Sequence, residues 1–327
     1  MAVIVKAENF DDIESSWLEI LSHSSGNTIF INPAWQKLWW SHFGRNADLR
    51  IISFSEDDKI IGIAPIMLKD GVLSFLGDTD LFDYHDFIVR TGYEEDFYDS
   101  LWAYVLPLEW TEIVLKSVRE GSPIFEHLGR LADDEHFVKE IKQEDVSPFT
   151  PLCDSWDDYL LTLRKKDRHE LRRKLRRLER ENTSAQYAYV EPDQIDASLP
   201  DFFRLMRASS GEKNDFLTEE REMFFRDMVA TLSSLGMLRL YFLEVDLNRV
   251  AACICFDYDG QYLLYNSGYD PEYSSLSVGL LNKALCLKDA IEEGKYSFDF
   301  LRGTERYKYN LGAQDQLVYE MIVRRRA

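Results

Sequence analysis

Between Leu238 and Ser267 the chain lays down three β-type runs, Leu238–Val245, Val250–Tyr258 and Gln261–Ser267. Only Asp246-Leu247-Asn248-Arg249 and Asp259-Gly260 separate them. Each run is rich in aromatic and apolar residues, and links this short join only antiparallel neighbours. Asp-Gly supplies the positive φ angles that a tight hairpin turn demands. A three-stranded meander is therefore predicted. After it comes a turn-rich loop, Gly268–Ser275, and a helix expected from about Ser277 to Glu293 with an apolar stripe of Leu280, Ala284, Leu287 and Ile291. Gly294 stands where a left-handed cap would end that helix. A short strand at Tyr296–Phe300, a turn of helix near Thr304–Asn310 and a strand at Gln316–Val323 complete the pattern.

The first half reads as the same kind of alternation. A strand at Met1–Lys6 precedes helices at Asp11–Ser22 and after Asn32-Pro33, the latter a good helix start. Strand runs follow at Leu49–Phe54, Lys59–Leu68 and Val72–Leu76. A helix at Glu94–Val105, a strand at Glu112–Leu115, a helix after Ser122-Pro123 and a strand near Phe137–Ile141 come next. Lys142–Asp154, with two prolines and scattered acids, reads as a crossing between halves. Beyond it, helices are expected through the basic segment, Leu199–Ser209 and Thr218–Leu235. A chain of 327 residues holds more than one ordinary core. The expectation is an α+β protein of two domains, 1–146 and 147–327, each a mixed, mostly antiparallel sheet with helices packed on it.

The formal charge of −20 excludes general affinity for nucleic acid, so DNA is not an expected partner. One segment runs against that balance. From Arg164 to Arg180 there are ten Lys/Arg and three acids, a local charge of +7. Arg164, Arg168, Arg172, Arg176 and Arg180 recur every fourth residue and form one slowly turning stripe on a helix. Such a stripe either holds phosphates or lies solvated over Leu171, Leu175 and Leu178. No apolar stretch is long enough to span a membrane and no basic leader opens the chain, so a cytoplasmic protein is expected. Cys153, Cys253, Cys255 and Cys286 lack metal-ligand spacing, as do the histidines, and are read as structural thiols with no metal.

The helix start at Ser277, Val278, Gly279 and Leu280 offers unpaired amides and a favourable dipole end, with Gly279 allowing close backbone approach. It reads as a pyrophosphate cradle or as an ordinary capped helix. Asp83, Tyr84, His85 and Asp86 fall together at a probable strand start. Asp83, Tyr84 and Asp86 are candidates for lining an acceptor cleft between the halves, or else satisfy loop amides.

Three motifs bring in a family resemblance. Tyr265-Asn266-Ser267-Gly268-Tyr269-Asp270, Leu276-Ser277-Val278-Gly279-Leu280, and Asp299-Phe300-Leu301-Arg302-Gly303 followed by Glu305-Arg306-Tyr307-Lys308 resemble the cellulose-biosynthesis (CelD-like) branch of the GNAT superfamily. That branch is related to the Fem-type peptidyltransferases. The likeness spans about residues 155–325, with looser support from Trp35, Gly62–Pro65 and Asp83–Asp86. Leu276 and Leu281 stand where the superfamily's cradle carries Gln/Arg and Gly/Ala. The resemblance implies two tandem GNAT-like domains and transfer of an acyl group from acetyl-CoA or another acyl-CoA to an amine or hydroxyl, on a small molecule or cell-envelope precursor. It implies catalytic roles for Lys308 as oxyanion support, Tyr307 as proton donor to the leaving thiolate, and Asp299 or Glu305 as base or orienting group. Trp35, Tyr265, Asn266, Tyr269 and Arg302 join Arg168 and Arg172 as substrate-binding candidates. The alternatives are an aminoacyl-tRNA donor, which would use the arginine stripe, and a catalytically silent module that binds glycan or protein.

Overall fold

The computed structural model describes residues 3–181 and 183–326 and divides the chain into two compact units. Met1 and Ala2, at the start of the expected first strand, lie outside the described residues.

The first unit opens with β1 (Ile4–Glu8), α1 (Phe10–Leu21), α2 (Pro33–Phe43), β2 (Asp48–Glu56), β3 (Lys59–Lys69), β4 (Val72–Phe75) and β5 (Ile88–Val89). It continues with α3 (Glu94–Val105), β6 (Glu112–Arg119), α4 (Ile124–Asp134) and β7 (Val138–Val146). The helix starts follow local chemistry. Asn9 accepts from the Asp12 amide ahead of α1, and Asn32 accepts from the Ala34 amide with Pro33 in the first turn of α2. The core gathers Phe54, Ile66, Phe97, Tyr98, Trp102 and Ile113 between the sheet and helices α3 and α4.

The second unit holds β8 (Phe149–Pro151), α5 (Trp156–Thr162), α6 (Lys165–Glu181), β9 (Ser184–Tyr189), α7 (Pro192–Ser209), α8 (Gly211–Phe216), α9 (Glu219–Ser234) and β10 (Leu238–Val245). After these come β11 (Asn248–Tyr258), β12 (Gln261–Tyr269), α10 (Val278–Glu292), β13 (Ser297–Asp299) and α11 (Arg306–Asn310). Its sheet runs β8-β13-β12-β11-β10-β9. The meander turns are tight because Asp246, Leu247, Asp259 and Gly260 all take positive φ. Cys253 and Cys255 on β11 face the apolar stripe of α10. Ile254 and Phe256 alternate to the other face, where Phe256 and Phe225 of α9 both pack on Tyr265. The expected structural thiols thus sit in the core, Cys253, Cys255 and Cys286 buried and Cys153 half-buried.

Three expectations change. The last strand, β14 (Leu317–Arg324), pairs with β6 and β7 and belongs to the first unit, so residues 147–327 are not one domain. Among the described residues the first sheet is eight-stranded, in the order β1-β2-β3-β4-β6-β14-β7, with β5 on β3. The crossing expected at Lys142–Asp154 does contain the boundary between the units, from Val146 to Ser147, but most of it is strand rather than loop: β7 runs to Val146, and β8 pairs antiparallel with β13. Asp83–Asp86 is a loop with a single bridge from His85 to Val118, not a strand start. No helix among the described residues is long and apolar enough to cross a membrane.

Because β14 is an interior strand, its side chains carry much of the first unit's core. Val318, Met321 and Val323 are buried, and fully burying such a side chain contributes about 1.5–3 kcal/mol. Together with the lost ladder this approaches the whole stability of a domain, roughly 5–15 kcal/mol. A chain ending at Asp315 should therefore lose the first unit's cooperative transition in calorimetry while the second unit still unfolds as a unit.

Candidate functional site

The site begins where two strands part. β12 and β13 run parallel and pair over Gln261–Ser297, Tyr262–Phe298 and Leu263–Asp299. There β13 stops, whereas β12 continues to Tyr269. Immediately past the last pair, the register against β11 slips so that Tyr265 is an extra, bulged residue, which bends the strand. On the β13 side, Asp299 accepts the Leu301 amide at 2.7 Å and holds Leu301 at a left-handed φ of 57°, turning the chain away. Gly268 lets β12 lie tight on α7, since a Cβ there would overlap the Leu205–Met206 backbone.

A pocket of about 370 Å³ is lined by Ser267 and Tyr269 from β12, Glu305 and Tyr307 from beyond β13, the first turn of α10, and Lys213 of α8. Helix α10 starts at Ser277, itself left-handed, with no side-chain cap bond. The Leu280 and Leu281 amides both turn back to the Ser277 carbonyl. Those of Val278 and Gly279 are the donors that a helix start leaves without an intrahelical acceptor. Ser277, Val278, Gly279 and Leu280 thus all line the pocket. The need for glycine at 279 has a local cause, because a Cβ would come within 3.0 Å of the Tyr269 ring.

Tyr307 is half-buried at the pocket, and desolvation, reinforced by Glu305, holds its phenol well above the ordinary range, so it keeps its proton. Lys308 does not open into the pocket. It is 1% exposed, and its Nζ donates to the carbonyls of Leu301 (2.9 Å), Arg302 (2.7 Å) and Gly303 (3.0 Å) while pairing with Glu305 at 2.9 Å. Three ammonium protons therefore meet four acceptors. This differs from the oxyanion-facing position expected from sequence: in this geometry Lys308 fastens the 301–305 loop that carries Glu305 and Tyr307. Asp299 likewise serves the turn, and Arg302 lies outside the pocket lining.

Tyr265 packs on Phe225 and Phe256, and Asn266, outside the pocket lining, accepts through Oδ1 from Lys213 Nζ and the Ser267 amide. In the first unit, Trp35 is 0% exposed in a ring cluster with Phe30 and Phe82, so it is core and not a surface for substrate. Tyr84 is also enclosed, with the Arg119 guanidinium 5.1 Å over its ring, and Asp83 is half-buried. Asp86 is buried, and desolvation pushes its carboxyl up to about 6 despite the nearby Arg119. The arginine stripe divides. Arg168 donates to the Leu161 carbonyl and Arg172 lies 3.8 Å from Asp157, whereas Arg173, Arg176, Arg177 and Arg180 line a hollow of about 690 Å³. Arg177 donates to the carbonyl of Ser275, two residues before Ser277.

Sequence reasoning missed Lys213 and Lys283. Lys283 is four residues after Gly279, the spacing that puts two side chains on one helix face, so that signal was present. Lys213 lies in a short helix that carried no pattern.

Residues 165–309 match the family model described as an acetyltransferase (GNAT) domain. No curated protein matches the chain. Among solved structures, FemX is similar at a TM-score of 0.68 and 12% identity, over 97% of this chain and 96% of that one. The L-PGS of Bacillus licheniformis is similar at 0.57 and 12%, over 96% and 92%. A tandem GNAT protein from the clavulanic acid biosynthesis pathway is similar at 0.55 and 10%, over 98% of each chain. At such identities the likeness is one of fold, and the fold is two GNAT-like domains in tandem.

The placement of Lys308 predicts a large stability effect. Lys308→Met would leave three carbonyls and a carboxylate without their cation. Glu305 is more than half exposed, so the main loss is at the carbonyls, and leaving buried acceptors unsatisfied costs about 1–3 kcal/mol. The urea midpoint of the second unit should fall accordingly, and a shift below about 1 kcal/mol would remove the fastening role.

Proposed function

We propose, on the premise that residues 165–309 form a GNAT-type acetyltransferase domain, that this chain transfers an acyl group from acyl-CoA to an amine or hydroxyl. The observation that carries the reading is the pocket at the parting of β12 and β13, with a helix start on one wall and a protonated tyrosine on another. The residues fit such a donor. The Val278 and Gly279 amides and the Ser274 and Ser277 hydroxyls would hold its phosphates, and the gap beyond Leu263–Asp299 would admit its acyl arm. In the reaction, the acceptor's lone pair forms a bond to the thioester carbonyl carbon and the carbon–sulfur bond breaks. Glu305 is the pocket carboxylate placed to take the acceptor's proton, and Tyr307 gives its proton to the leaving thiolate. An envelope or polysaccharide precursor as acceptor, within the cellulose-biosynthesis branch, rests on the sequence motifs alone.

Acetyl-CoA and longer acyl-CoAs should raise the second unit's melting temperature. A ligand at a hundred times its dissociation constant adds about 2.7 kcal/mol. Tyr307→Phe should lower kcat roughly 100-fold or more with donor affinity nearly unchanged, as removal of a general acid does. No shift and no turnover with any acyl-CoA would leave a binding module in place of this enzyme.

The second reading is an aminoacyl-tRNA donor. It is supported by the four-arginine hollow on α6 and by the Arg177–Ser275 bond, which ties that face to the rim of the cradle. A nucleic-acid donor would run its backbone along these guanidiniums, against the negative charge of the rest of the chain. Replacing Arg173, Arg176, Arg177 and Arg180 with Gln should then weaken tRNA binding and flatten its log–log salt dependence by roughly 3–4. Unchanged tRNA affinity, or none in the parent, excludes this donor.

A further inference from the structure

Two lysines in the pocket, Lys213 and Lys283, form no ion pair among the described residues. Lys283, on the second turn of α10, is 8% exposed; its Nζ donates to the Gly279 carbonyl at 3.1 Å and stands 5.0 Å over the Tyr307 ring. Lys213 donates to Asn266 Oδ1 at 3.2 Å and to the Ser267 carbonyl. Neither forms an ion pair with a carboxylate among the described residues, although Lys283 is buried and Lys213 half-buried, and buried lysines are mostly paired. Lys308, a short way off, shows what a satisfied buried lysine looks like in this fold. Burial, and then repulsion from Lys283, push the Lys213 ammonium down to about 8 against the weaker pull of Cys253 and Glu305. The three hydrogen bonds given above for the two lysines all go to neutral oxygens, and Ser209, Ser210 and Ser267 also line the pocket.

Their position separates them from the phosphate cradle. The cradle's amides lie in the first turn of α10. Lys283 is one turn further along, against Tyr307, and Lys213 is held to the stretch of β12 just past the bulge. They therefore bracket the end of the pocket where the acyl carbonyl and the acceptor would meet. We propose that Lys213 and Lys283 together receive a carboxylate carried either by the transferred acyl group or by the acceptor. An anion there would supply the missing counter-charge and would fix the reacting end against Tyr307 and Glu305. This rests on the acyl-transfer reading of the same pocket and narrows its substrates to those with a free carboxylate near the reacting atoms.

The test compares parent, Lys213→Met and Lys283→Met. In one arm, acetyl-CoA and succinyl-CoA are titrated calorimetrically; in a second, glycine and glycinamide are compared as acceptors with acetyl-CoA. A third arm measures thermal shifts with succinate and with succinamide at matched ionic strength, and needs no CoA. If the acyl group carries the carboxylate, the parent binds succinyl-CoA at least 10-fold more tightly than acetyl-CoA, and either variant reduces that ratio to near one. If the acceptor carries it, the same pattern appears as glycine against glycinamide in kcat/KM. In either case succinate, and not succinamide, stabilises the parent, and the variants lose that shift while their unliganded melting temperature stays unchanged or rises. The proposal falls if both ratios in the parent are near one and succinate gives no shift. It also falls if the variants weaken acetyl-CoA and succinyl-CoA equally, which would make the lysines donor-phosphate ligands. Failure of every CoA ester to bind, with the succinate shift intact and lysine-dependent, would overturn the acyl-CoA reading and leave the carboxylate site standing.

Discussion

The site in the second unit depends on strand pairing that stops after three residues. Parallel neighbours normally continue side by side as long as both have chain to offer, because every unpaired amide or carbonyl away from water costs free energy. Here Asp299 ends β13 by drawing the Leu301 amide into a turn, and the bulge at Tyr265 bends β12 away from it. The gap this creates is where polar backbone and side chains can face a ligand in place of each other. Everything used in the functional reading hangs from its two edges: Tyr269 and the start of α10 from one, Glu305 and Tyr307 from the other.

Three lysines near this gap show how one residue type serves different ends according to its acceptors. Lys308 is met by three carbonyls and a carboxylate, so its charge is spent on holding a loop. Lys213 and Lys283 are met only by neutral oxygens and a ring face. Lys283 is buried and Lys213 half-buried, and a desolvated cation in that second state is costly unless an anion arrives. The arginines of α6 divide in the same sense. Arg168 and Arg172 turn to α5, whereas Arg173, Arg176, Arg177 and Arg180 crowd one hollow in a chain that is otherwise strongly acidic.

The meander of β10, β11 and β12 was legible because a local rule wrote it: Asp259-Gly260 permits one turn type, and the runs beside it are apolar throughout. The helix start at Ser277–Leu280 was legible for the same reason, since helix starts are set by a few adjacent residues. β9 was not, because Ser184–Tyr189 is an edge strand that is mostly open to water and carries no apolar alternation. The short helix α8 likewise lacks a periodic face, so Lys213, the side chain it brings to the pocket, had no signal. Trp35 and Tyr84 looked available to a substrate, but rings from distant positions enclose them.

The sequence by itself determined the local elements and the order in which they come, since turns, caps and periodicity act over a few residues. It also determined the isolated basic helix within an acidic chain. Tertiary structure decided matters that turn on partners far apart in the chain. It sent β14 back to the first sheet, where β6 and β7 offered two open edges. It placed Lys308 against carbonyls and Lys213 and Lys283 against none of their own carboxylates. A charged side chain's role depends on which acceptors reach it and how much water remains, and neither is written within the few residues on either side of it.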